Sequence, residues 1–139
     1  LRDPEQRIGI RARNLEETSL VLDFAGITKF EVRSHEAPDD LRTPPKTRVE
    51  IVKLPGVTIG RFSAEPGWRW SECIGPIAGT AGCQVAHVGH VVSGSVVIRM
   101  DDGSQKTIGP GDSYTIPPGH EAWVEGNEQF VCIEVLNSA

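Results

Sequence analysis

Apolar and polar positions change rhythm near residue 48. From there to the C-terminus, short runs that alternate apolar and polar residues are broken by Gly and Pro turns, the period-two pattern of half-buried strands. Residues 49–54 and 57–64 read as strands joined at Pro55-Gly56, and Glu65-Pro66-Gly67 turns the chain into a third strand at 68–74. Residues 75–82 carry Gly75, Gly79 and Gly82 and are too rich in glycine for a central strand. Further strands are predicted at 83–92, 96–100, 105–108, 114–116, 122–124 and 130–136. Between them lie turn sequences such as Ser93-Gly94-Ser95, Gly109-Pro110-Gly111-Asp112 and Pro117-Pro118-Gly119, and Asp101-Asp102-Gly103 is a strong hairpin signal. The result is about eight or nine short strands at the spacing of a sandwich or barrel.

Upstream the pattern is weaker. Residues 1–18 are charged and polar and read as a loose arm or a short helix. Leu20, Leu22, Phe24, Ile27, Phe30 and Val32 alternate in part, which predicts one or two strands within 19–32. Residues 34–46 hold Pro38, Pro44, Pro45 and the pair Asp39-Asp40, and read as a linker or surface loop. The expected organisation is an N-terminal arm and linker over 1–47, placed to lend strands to a dimer, and a β domain over 48–139.

Composition narrows the classes. A chain of 139 residues fits one domain with one substantial core, and 15 Gly with 10 Pro suit an all-β fold with many tight turns. The net charge of −5, with Lys and Arg scattered, argues against a nucleic-acid partner. No apolar run approaches the roughly 18–20 residues of a membrane span, and no segment reads as a signal peptide. Cys73, Cys83 and Cys132 cannot all pair and do not form a secreted disulfide framework, so a cytoplasmic location is expected. The chain starts at Leu1 and its only methionine is Met100, as in a processed protein or a piece of a longer one.

Candidate chemistry sits in two stretches, Cys83 to Gly94 and Gly109 to His120, where Cys and His stand beside turns. His87 lies on the inward face of its predicted strand with Val85, Gly89 and Val91. Cys83 shares that face, but four extended residues span ~13 Å at ~3.3 Å each. Both side chains can reach one ion only if the chain bends between them; otherwise Cys83 is a buried apolar residue. Cys132 shares a face with Phe130 and Glu134 and reads as core. His90 points away from His87, to the exterior or a subunit contact, and His35 reads as a solvated loop residue. Trp68, Trp70, Tyr114 and Trp123 either wall a ligand site or simply fill the core. Glu72 and Glu121 flank ligand candidates, yet their strand parity predicts exposure. No Ser-His-Asp arrangement, phosphate loop or paired-carboxylate spacing is present.

These spacings resemble the cupin superfamily. Gly111, five residues, Pro117, one residue and Gly119 followed by His120 resemble the second cupin motif. His87, six residues and Gly94 match the back half of the first, where a Glu commonly stands at the place of His87. Glu65-Pro66-Gly67, five residues and Cys73 look like its front half, where the first metal-binding His would stand. Trp68-Arg69-Trp70-Ser71-Glu72 and Met100-Asp101-Asp102-Gly103 look like a group of small bacterial cupins of mostly undefined function. The resemblance covers roughly residues 48–136 and departs from the family in three places: no His-x-His pair, a longer segment between Cys73 and His87, and His120 directly after Gly119.

The resemblance implies an all-β, double-stranded β-helix (jelly-roll) cupin barrel with an N-terminal extension and a divalent-metal pocket. The candidate ligands are His87, His120 and one or both of Cys83 and Cys73. Cys73 is either a thiolate ligand or a replacement that leaves the site degenerate. A thiolate and imidazole set favours zinc, while iron, manganese or nickel are the more usual ions of the family. The partner implied is a small-molecule ligand or substrate that no residue identifies, so whether the chain is an enzyme stays open. The alternative is a non-catalytic ligand-binding or assembly module with a degenerate site. A metal-free isomerase or epimerase would need a His–carboxylate pair, which the sequence does not place. Cupins often dimerise through N-terminal strands, which implies a homodimer built with residues near 20–32.

Overall fold

The structure, a computed structural model, describes residues 26–136. Its strands are β1 (Asp40–Arg42), β2 (Thr47–Leu54), β3 (Val57–Ala64), β4 (His87–Ser93), β5 (Ser95–Met100), β6 (Gln105–Ile108), β7 (Ser113–Ile116), β8 (His120–Glu125) and β9 (Phe130–Leu136). Two short helices, α1 (Trp70–Cys73) and α2 (Gly75–Ala78), lie between β3 and β4. One sheet has six strands in the order β1-β2-β3-β9-β4-β7, and a second has three in the order β6-β5-β8. All pairings are antiparallel. From β4 onward the chain alternates between the sheets, crossing after β4, β6, β7 and β8, which is the double-stranded β-helix of a cupin jelly-roll.

The inner faces close on one core. Val91 of β4, Val96 and Ile98 of β5, Ile116 of β7, Ala122 and Val124 of β8, and Phe130 and Cys132 of β9 are all buried there. Each fully buried Val or Phe side chain stabilises the fold by ~1.5–3 kcal/mol. The alternation read from the sequence therefore selects the correct faces. On the outer face of β2, Glu50 is only 3% exposed yet charged. Arg61, its cross-strand partner on β3, grips both carboxylate oxygens at 2.7 and 3.0 Å, and Arg48 adds a contact at 3.3 Å. The Arg61 hydrogen bonds outweigh burial and hold the Glu50 carboxyl below its usual range.

Four segments differ from the sequence expectation. Residues 68–74 are not a strand: Trp70 and Cys73 bury one face of α1 at helical spacing. Pro76 opens α2, and Gly79 in the left-handed region closes it. Residues 84–86 form no strand, and β4 begins at His87. Asp40–Arg42, read as loop, pairs with β2 as a three-residue edge strand that ends before Pro44. Residues 26–32 form no strand, and Leu20, Leu22 and Phe24 lie outside the described residues.

Gly94 marks the first crossing between sheets. It adopts φ 71°, and a Cβ there would stand 2.4 Å from the Gln129 carbonyl oxygen at the crossing from β8 to β9. Gly94→Ala is therefore expected to cost on the order of 3 kcal/mol, from left-handed strain plus a backbone collision. Gly111, at φ 89° with nothing within 4 Å of its would-be Cβ, should lose only the ~1–2 kcal/mol of the strained backbone. Urea denaturation of the two variants compares them, and equal losses would refute the close packing of the crossings.

Candidate metal centre

Cys83 enters the core on a loop rather than a strand. Its backbone N–H donates to the His120 carbonyl at 2.8 Å, and its own carbonyl accepts from the N–H groups of Gly119 at 2.7 Å and His120 at 3.3 Å. This isolated bridge pins the loop to the first residue of β8. The irregular stretch 84–86 then carries the chain back to His87, so the two side chains converge instead of standing ~13 Å apart. Cys83 Sγ lies 3.4 Å from His87 Nε2, and the His87 and His120 rings meet edge to face with centroids 5.2 Å apart. One ligand atom from each of Cys83, His87 and His120 lies within 4.8 Å of the others. The bend that the sequence left open is present.

Hydrogen bonds prepare both imidazoles. His87 Nδ1 donates to Glu134 Oε1 at 2.9 Å, and His120 Nδ1 donates to the Pro117 carbonyl at 2.9 Å. With each Nδ1 engaged as a donor, each ring keeps Nε2 for a metal, as second-shell partners do in zinc sites. Tyr114 donates its hydroxyl to Glu134 Oε2 at 2.6 Å, so both carboxylate oxygens are used. Gly89 makes room for this chain, because a Cβ there would meet the Tyr114 hydroxyl oxygen at 2.7 Å and Glu134 Cγ at 2.9 Å.

The cluster is charged before any ion enters. Burial works to raise the Cys83 thiol, but hydrogen bonds with His120 and His87 outweigh it and bring it down to about 6. Burial likewise opposes a charged His87, yet hydrogen bonds with Cys83 and Glu134 raise it to about 10. Each partner thus favours the charged form of the other. Cys132 is the contrast: burial, with the Glu134 charge nearby, pushes its thiol up to about 12. Burial also pushes Tyr114 well above the ordinary phenol range.

The cluster opens on a cavity of about 390 Å³ between the sheets. Its walls are mainly apolar, with Phe62, Trp68, Trp70, Ile98 and Phe130 among them, while Glu134 and Tyr114 stand at the polar end with the cluster. A thiolate and two neutral imidazoles fit a divalent ion of borderline softness, and three protein ligands leave a coordination position open.

His87, His120 and Cys83 thus come together, whereas Cys73 lies on α1 in the apolar core, outside the trio. Cys132 is buried core, and His90 is exposed and bonded to Ser113 Oγ at 2.8 Å. His35 is half-buried, its Nδ1 3.0 Å from the Glu50 carbonyl. Glu121 is less exposed than its parity predicts: it accepts the Ser71 N–H at 3.1 Å and so braces α1. Glu134 is the functional residue that sequence reasoning passed over. Its signal was an inward carboxylate in the apolar strand Phe130–Leu136.

Sheet topology and cavity define a cupin, and sequence comparison agrees. The family model for the EutQ-like cupin domain matches residues 58–131, more than half of the chain, and the protein belongs to that family. Solved structures share the fold. A protein of unknown function from Rhizobium leguminosarum bv. viciae 3841 is 22% identical with a TM-score of 0.56, covering 78% of this chain and 96% of its own. The polyketide cyclase RemF from Streptomyces resistomycificus is 16% identical with a TM-score of 0.54, covering 77% and 78%. KdgF from a Halomonas species is 19% identical with a TM-score of 0.54, covering 78% and 92%. No curated protein gives a significant sequence match. No helix among the described residues is long and apolar enough to cross a membrane.

In metal-free protein, the ultraviolet thiolate absorbance of Cys83 should appear with a midpoint near pH 6. His120→Ala or His87→Ala should move that midpoint upward toward ~8.5, the value of an unperturbed thiol. A wild-type midpoint already at the ordinary value would rule out the thiolate–imidazolium pair.

Proposed function

We propose that this chain is a metal-binding small-molecule cupin in which Cys83, His87 and His120 hold one divalent ion, with zinc favoured. The convergence of these three ligand atoms within 4.8 Å carries the reading. The thiolate favours zinc, although iron, manganese and nickel suit the imidazoles. Glu134 fixes the tautomer and orientation of His87, and Tyr114 fixes Glu134 in turn. The apolar walls keep water from a bound molecule and raise the strength of each polar contact inside. An ion with an open position supplies Lewis acidity toward an oxygen of that molecule.

Metal analysis of protein dialysed against buffer should find about one ion per chain. Cys83→Ser, His87→Ala and His120→Ala should each abolish retention, Cys73→Ser should keep it, and Glu134→Gln should weaken affinity by about 10–100-fold. Cobalt loading should give a thiolate charge-transfer band that disappears only with the Cys83 variant among the cysteine changes. Wild-type protein without a stoichiometric ion would overturn the reading. It would favour the second one, a metal-free acid–base site, which the His87–Glu134 pair at 2.9 Å supports.

We also propose that the partner is a second copy of the chain. Ile27, Phe30 and Val32 are exposed, Phe30 by 96%, and so are Val88, Val92 and Val135 on β4 and β9. Neither apolar group covers the other within one chain, and a two-fold dimer lets each meet its counterpart on the partner. Sedimentation at micromolar concentration should report a dimer that Phe30→Asp or Val92→Asp dissociates. A monomeric wild-type protein would refute this.

A further inference from the structure

The mouth of the cavity joins a cation to bare apolar surface, and the metal cluster explains neither. Of the described residues that line the cavity, Arg42, Ile77 and Val85 are the exposed ones, so they form its mouth. Ile77 and Val85 are 70% and 60% exposed, and they belong to neither apolar group assigned to the dimer. Arg42 is the only Lys or Arg of the lining among the described residues. Its Nε meets Asp40 at 3.2 Å, an exposed pair that contributes little. The two terminal nitrogens of its guanidinium have no partner among the described residues.

Strand register aims this side chain. Arg42 on β1 pairs with Val49 on β2, Val49 with Phe62 on β3, and Phe62 with Cys132 on β9. Directly paired residues share one face of a sheet. Val49, Phe62 and Cys132 all line the cavity, so Arg42 ends an inward-facing row at the edge of the larger sheet. The ligand trio stands toward the opposite side of the same cavity. From β1 to β4, the strand of His87, the sheet order gives four strand spacings. At ~4.8 Å each they place the two backbones ~19 Å apart. Between the cation and the cluster the wall is apolar, with Val49 and Phe62 next in line.

We infer that the cavity binds an elongated carboxylate, its charged head on the Arg42 guanidinium and its apolar body running inward along Val49 and Phe62. A planar guanidinium with both terminal nitrogens free matches the two oxygens of a carboxylate. The part of the body nearest the mouth covers Ile77 and Val85, which an acid of two or three carbons is too short to do. The apolar wall excludes sugars, whose hydroxyl groups would lose water without finding partners. The volume of about 390 Å³ falls within the ~300–1,000 Å³ of small-molecule pockets. The inference rests on the proposed reading of this cavity as a small-molecule site, but it does not depend on the ion.

Octanoate and octanamide provide the test, since they share one chain and differ by a charge. Each is titrated into the full chain by calorimetry, in separate runs with zinc and with chelator. Octanoate should bind about three- to fivefold more tightly than octanamide in both runs, the contribution of an exposed ion pair. Arg42→Gln should abolish that preference while octanamide still binds; the residue is exposed, so the change leaves the core intact. Hexanoate should bind more weakly than octanoate, by about fourfold for each methylene group lost. Ile77→Ser should weaken octanoate and octanamide alike. Equal affinity of octanoate and octanamide, no binding of either, or a preference that survives Arg42→Gln overturns the inference. Hexanoate bound as tightly as octanoate also overturns it, and so does a preference that appears only with zinc, which would put the carboxylate on the ion. Protein that holds no zinc yet keeps the Arg42-dependent preference would instead count against the metal reading alone.

Discussion

The site depends on a backbone clasp, the reciprocal hydrogen bonds between Cys83 and the Gly119-His120 turn. Without it, Cys83 would ride on a loop with no fixed relation to His87 or His120. The clasp is not strong enough by itself. Three backbone hydrogen bonds contribute ~1 kcal/mol each, whereas ordering the exposed residues Gln84, Val85 and Ala86 costs ~1–2 kcal/mol apiece. Burial makes up the difference, because Cys83 and His120 are both buried where they meet. Packing therefore places the thiolate, and the hydrogen bonds set its register.

Charge is tolerated inside this core because it is matched almost atom by atom. His87 uses one nitrogen on Glu134 and the other on Cys83, and the second oxygen of Glu134 takes the Tyr114 hydroxyl. In a low-dielectric interior such a network is rigid when complete and costly when broken. Glu50 shows the same rule on the outer face, where Arg61 and Arg48 surround a buried carboxylate. The two networks differ in what remains available. Glu50 is closed off by its arginines, while the His87 cluster faces a cavity.

Period-two alternation made most of the barrel legible, since a strand with one buried face has one register that keeps its apolar residues inside. The same alternation put His87 on the inner face, and the turn before β8 placed His120. What alternation could not reveal was how the chain behaves between strands. Trp70 and Cys73 were read at period two but pack at helical spacing, which takes Cys73 away from the ligand trio. The distance between Cys83 and His87 was calculated for an extended chain, whereas a tertiary contact to His120 bends it. Glu134 was inward by parity, and only the fold shows that His87 and Tyr114 are its partners.

The position of β9 ties the chemistry to the order of assembly. This last strand lies between β3 and β4 rather than at an edge, and it carries Glu134 into contact with His87. The larger sheet cannot close until β9 has been made and has docked, which is a long-range and slow kind of pairing. A chain in which β9 has not yet docked holds Cys83, His87 and His120 without the carboxylate that orients His87. Completion of the sheet and maturation of the pocket are therefore one event, and β9 acts as its keystone.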